Sequence, residues 1–219
     1  MSIPIMYFPL LALLLLLADP QAARNVEHNV ITSTADPAIQ VKVSDDLKYL
    51  GAFQFTLGGV ASGERHVWVK ADRHKRVTRL FILQFEGYFP GSPHRYNYKP
   101  RNVTKLGANN YNSNGFLYDD TQYHKEHPGN EAEGTRKFLE ARGYTLDAEQ
   151  LLYRFYRSLS DPDPAKDLRN EFLIFYIEPL KDLGLTMKDT TENQDSEREK
   201  QIVAAARERA LKAFQVVKD

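Results

Sequence analysis

No cysteine occurs in the 219 residues. That excludes disulfide staples, thiol nucleophiles, iron–sulfur clusters and cysteine-ligated zinc. Net charge is absent as well. Twenty-nine Lys and Arg balance 29 Asp and Glu, so no global field draws the chain to nucleic acid or to an anionic membrane surface. The sequence also lacks a Gly-rich phosphate loop ending in Lys-Ser or Lys-Thr, a Gly-x-Ser-x-Gly elbow, a His-Glu-x-x-His pair and a calcium loop. The glycines of Thr56–Gly63 follow a strand pattern with no helix pattern behind them, so they read as a turn and not as a nucleotide cradle. No catalytic residue, metal site or cofactor is expected on these grounds.

Long apolar runs are missing except at one end. The first 18 residues hold no charged side chain, and the leucine-rich run from Pro9 stops at Asp19. A spanning helix needs about 20 apolar residues. This run is shorter and suits the apolar core of a signal peptide. Residues 1–23 are therefore read as a signal peptide or, if uncleaved, a short anchor, which is the only route to a membrane. The expected location is periplasmic or secreted, in a bacterial envelope. Roughly 196 residues follow, enough for one domain with a core of its own.

What is present begins with a polar arm, 24–37. Period-two alternation then takes over. Ile39, Val41 and Val43 alternate with Gln40 and Lys42; Phe53, Phe55 and Leu57 with Gln54 and Thr56; Val67 and Val69 with His66, Trp68 and Lys70. Residues 77–86 continue the pattern. Short turn-like breaks between these runs predict an antiparallel meander. Residues 88–130 are rich in Tyr, Asn, Gly and Pro and read as ordered loop, with extended pieces at Arg95–Tyr98 and Phe116–Tyr118. Helices are predicted over 131–142 and 146–159. Phe172–Ile177, six apolar residues between polar flanks, predicts a late strand buried on both faces. A polar linker covers 184–198, and an amphipathic helix closes the chain, with Ile202, Val203, Ala206, Ala210, Ala213, Phe214 and Val217 as its stripe. The expected class is α+β: one domain over 38–183, a mostly antiparallel sheet with helices packed on one face, and the C-terminal helix, 199–219, docked on it.

The candidate site follows from alternation. If the strand registers agree, Phe53, Phe55, Leu57, Val67, Val69, Phe81, Leu83 and Phe85 share the core face. The opposite face then carries His66, Trp68, Gln84 and Glu86 among Leu80 and Ile82. A mixed face with an aromatic and a few polar groups is what a pocket wall looks like. Tyr88 opens the aromatic-polar loop just beyond it. Trp68, His66, Gln84, Glu86 and Tyr88 are thus the expected ligand-binding residues. The Tyr/Asn-rich segment is a second candidate recognition surface, since tyrosine joins a large ring to a polar tip. His124 and His127, with Asp119 and Asp120, could hold a divalent ion, but two imidazoles are not three ligands and a solvated loop is the plainer reading. The expected function is a non-catalytic domain binding a small molecule, sugar, peptide or lipid of the envelope. The alternatives are a hydrolase using Glu86 or the Asp119–His127 cluster, and an envelope assembly protein that uses its closing helix as the contact.

Overall fold

The computed structural model describes residues 23–188 and 197–219. The signal or anchor reading, and most of the expected linker, lie outside the described residues. The class is α+β with mostly antiparallel sheet. Among the described residues eleven strands form two sheets, and three α-helices accompany them.

Seven strands make the larger sheet: β4 (Lys48–Leu57), β5 (Ala61–Ala71), β6 (Val77–Tyr88), β7 (Thr104–Leu106), β8 (Asn109–Asp119), β9 (Glu149–Leu159) and β10 (Asn170–Pro179). Their order is β4-β5-β6-β10-β9-β8-β7, antiparallel throughout. The meander β4-β5-β6 is as alternation predicts. The apolar run at 172–177 lies in β10, between β6 and β9, where both its faces are buried: Phe172, Ile174 and Tyr176 on one side, Leu173, Phe175 and Ile177 on the other.

A second sheet, β1 (Arg24–Glu27), β2 (Val30–Ser33), β3 (Ile39–Val43) and β11 (Phe214–Lys218), packs on one face of the larger one. The stretch expected to be a polar arm therefore holds a hairpin, with Ile31 fully buried. Four-residue strands are too short to display a period, which is why this one is hard to see. The C-terminal helix, α3 (Glu197–Lys212), buries Ala206 and Ala210, but it ends before the stripe does: Phe214 belongs to β11, which pairs with β3, and Val217 is exposed.

The segment expected as a helix over 146–159 is strand β9. Leu151, Leu152, Phe155, Tyr156 and Leu159 fit a helical stripe and a strand buried on both faces equally well. Tyr153, Phe155 and Leu159 face one core; Leu152 and Tyr156 face the other. Three aromatic rings in four positions favour the pleated strand. Helix α2 (Glu131–Glu140), close to its expected span, is capped by the Asn130 side chain, which accepts from the Glu133 amide at 2.8 Å. It covers the second face with Phe138 and Leu139, alongside the short helix α1 (Asp120–Glu126). The helices thus lie on both faces of the sheet, not on one, because a sheet apolar on both sides must be covered twice.

Helix α3 comes close to β8 at Gly115. A Cβ there would meet Tyr153 Cδ2 at 2.7 Å, Val203 Cγ1 at 2.9 Å and the Leu152 carbonyl oxygen at 3.2 Å. Gly115→Ala is expected to lower stability by ~1–3 kcal/mol through overpacking. Urea melts check this; an unchanged midpoint would mean that the helix shifts freely on the sheet.

Candidate functional site

Register decides which side chains meet. At the β5–β6 turn Ala71 pairs with Val77, but one step further Lys70 pairs with Arg79, so a bulge intervenes. One extra residue exchanges the faces from there on. Trp68 pairs with Phe81 and His66 with Leu83, while Val67 pairs with Ile82 and Arg65 with Gln84. The expected common face is therefore split. Trp68 and His66 lie with Phe81, Leu83 and Phe85 under the smaller sheet; Gln84, Glu86 and Tyr88 lie on the opposite side with Arg65 and Glu171. Trp68 is fully buried, its indole N–H donating to Asn29 Oδ1 at 3.3 Å. It is a core residue and lines neither the cleft nor the smaller cavity described below.

On the second face a polar chain is buried in the sheet. Arg65 Nε donates to Gln84 Oε1 at 2.5 Å, and Gln84 Nε2 donates to Glu86 Oε2 at 2.5 Å. Arg65 Nη1 also donates to the Glu131 carbonyl at 2.8 Å and to Thr135 Oγ1 at 2.7 Å on α2. Glu171 is the direct cross-strand partner of Glu86. The loop after β6 folds down on this pair. Tyr96 donates to Glu86 Oε1 and Tyr98 to Glu171 Oε2, each at 2.6 Å. Tyr88 stacks on Tyr96 with centroids 4.3 Å apart, and Tyr98 meets Tyr156 edge-on at 4.9 Å. Arg169 ties down the loop's backbone, donating to the carbonyls of Ser92 at 2.8 Å and of Phe89. Ordering of this tyrosine-rich loop thus has a specific cause: hydroxyls that would otherwise be buried unpaired find two carboxyls.

Burial pushes the Glu86 carboxyl up, against the hydrogen bonds from Tyr96 and Gln84 that draw it down. Glu171 is pushed up to about 8, chiefly by burial, with the neighbouring Glu86 adding to it. Two carboxyls side by side in low dielectric do not both ionise readily, so the pair holds a proton at neutral pH.

Beside this pair the sheet end opens into a cleft of about 700 Å³. Glu86, Tyr88 and Asn170 border it on one side; Arg24, Asp36 and Glu64 on the other. The Arg24 guanidinium lies 3.9 Å from the centroid of the Phe85 ring, and its Nη1 donates to Glu64 Oε2 at 3.0 Å. Its Nη2 donates to the Asp36 carbonyl at 3.2 Å. Glu64 Oε1 lies 2.7 Å from His66 Nε2, and the His66 hydrogen bond is the largest influence holding Glu64 below the usual carboxylate range. His66 Nδ1 is 2.9 Å from the Tyr49 hydroxyl.

Of the five expected residues, Glu86 and Tyr88 reach the cleft. Gln84 and His66 stand one layer behind it, through Glu86 and Glu64. Alternation does not point to Arg24, Glu64, Glu171, Tyr96 or Tyr98. Two signals were available: Tyr96 and Tyr98 lie in the tyrosine-rich segment, and Glu171 is a carboxylate at the mouth of an otherwise apolar buried strand.

The Asp119–His127 segment does not converge. His124 Nε2 faces Asp120 Oδ1 at 3.3 Å, Asp120 is bound by Arg136, and His127 stacks on Tyr123 at 4.6 Å. Among the described residues no group of three His, Cys, Asp or Glu side chains is placed to hold a metal ion. None of their helices is long and apolar enough to cross a membrane. No protein-family model matches the chain, and no curated protein or solved structure is significantly similar to it. What is established is the class: an α+β domain of two antiparallel sheets.

Proposed function

We propose that this chain is a non-catalytic ligand-binding domain exported to the periplasm or secreted, and that its ligand, a sugar, peptide, lipid or other small molecule of the envelope, lies in the Arg24–Glu64–Tyr88 cleft. The observation carrying this reading is the cleft itself. Its ≈700 Å³ falls in the range of small-molecule sites, and its walls combine aromatic rings with a few fixed polar groups. The uncharged N-terminal run and the absence of cysteine support export into an envelope.

A second reading, a hydrolase with Glu86 as general acid, is favoured by the raised Glu86 carboxyl in the cleft wall. Against it, both Glu86 oxygens already accept hydrogen bonds, from Tyr96 and from Gln84. These contacts suit a structural latch better than proton transfer.

Calorimetric titration with envelope sugars, peptides and lipids tests the proposal. For a ligand so found, Tyr88→Ala and Glu64→Gln are each expected to weaken binding about tenfold, the ~1.4 kcal/mol of one lost ring contact or charged hydrogen bond. Unchanged affinity in both variants would place the ligand elsewhere. Turnover of a bound compound that is lost in Glu86→Gln would establish the hydrolase instead.

A further inference from the structure

A second, smaller cavity of about 100 Å³ lies on the same sheet face, beneath helices α1 and α2. Its floor is apolar: Ile82, Phe116, Leu152, Phe175 and Ile177. Two arginines stand at its sides. Arg65 lies 5.1 Å above the Phe175 ring and is spent on its own partners, including Glu131 Oε1 at 3.5 Å. Arg154 differs. Its Nε donates to Asn114 Oδ1 at 2.8 Å, and its guanidinium rests 5.0 Å from the Tyr156 centroid and 5.8 Å from that of Phe116. Its two terminal nitrogens have neither a hydrogen bond nor an ion pair among the described residues. The Tyr123 hydroxyl, also in the cavity wall, likewise has no hydrogen bond there.

Charge fixes the sign of what fits. Arg65 and Glu131 offset one another, which leaves the positive charge of Arg154. Glu171, whose charge acts on Arg154, is shifted up to about 8 by burial and so adds little negative field at neutral pH. A guanidinium fork with free donors matches a carboxylate. Size fixes the rest: a cavity of roughly 150 Å³ holds the six non-hydrogen atoms of benzene, so 100 Å³ encloses about four, with the polar end of a slightly longer ligand reaching the entrance. We infer that this cavity binds a short-chain monocarboxylate, its carboxylate on Arg154 Nη and the Tyr123 hydroxyl, its alkyl chain on the floor formed by Phe116, Leu152 and Phe175. Tyr123 is 37 % exposed and marks the entrance.

The test uses the whole chain and NMR titration with propionate, with propanamide and propylamine as isosteres. Propionate is expected to saturate, and neither isostere to do so. Arg154→Gln is expected to weaken propionate at least tenfold, and Tyr123→Phe severalfold. Ala132→Leu, on the helix roof, is expected to abolish binding by filling the space. Binding of propanamide equal to that of propionate would overturn the inference, as would unchanged propionate affinity in folded Arg154→Gln. Should Arg154→Gln fail to fold, Ala132→Leu decides alone, and undiminished binding in it refutes the site. Tyr88→Ala leaves this site intact, so failure here is separate from failure of the cleft.

Discussion

Phe81→Ala lowers the free energy of unfolding by ~3–5 kcal/mol, the cost of deleting a fully buried ring and leaving a cavity. Phe81 is completely inaccessible. Its ring meets Trp68 edge-on at 5.9 Å and Phe214 at 5.6 Å, so it joins the large sheet to β11 of the small one. Trp68→Ala is expected to cost a similar amount, and because the two rings touch, the double variant should lose less than the sum of both. Guanidinium melts of the three variants check this. A loss below about 1 kcal/mol for Phe81→Ala would mean that the two sheets do not pack as described.

Glu171→Gln raises stability at alkaline pH and flattens its pH dependence. In the folded chain the Glu171 carboxyl is shifted up from 4.5 to about 8. The folded state therefore holds a proton that the unfolded state releases. Its contribution is fully present below about 4.5 and is lost as pH rises through about 8. A tenfold difference in proton affinity between the two states is worth ~1.4 kcal/mol, so the decline across this window is on the order of a few kcal/mol. Most carboxylates act in the opposite direction. Glutamine keeps an acceptor for Tyr98 and cannot ionise, so the variant should surpass the parent above about pH 8. Urea melts from pH 5 to 9 decide this. Parallel curves for parent and variant would show that Glu171 is ionised and solvated. The same titration bears on the cleft, since Tyr96 and Tyr98 hang from the Glu86–Glu171 pair.

Several elements are legible in the residue pattern alone. Alternation by itself determined strands β3 to β6, and the apolar run 172–177 determined a strand buried on both faces, because side-chain period and run length are local quantities. The helix at Glu131–Glu140 was legible as well, within two residues of its expected end. Two residues of the cleft, Glu86 and Tyr88, were legible as a polar strand end running into an aromatic loop.

Tertiary structure alone decided the rest. Alternation says that neighbours along a strand point apart; it does not say which side of the next strand they match. The bulge between Lys70 and Ala71 settled that, sending Trp68 and His66 to one face and Gln84 and Glu86 to the other. Residues 149–159 carry an apolar pattern that fits both helix and two-faced strand, and only the empty edge between β8 and β10 selects the strand. Arg24 and Glu64 are 40 positions apart, and Glu86 and Glu171 further still, so no local pattern could pair them. The buried carboxyl pair and the cleft beside it exist because antiparallel strands distant in sequence were brought into register.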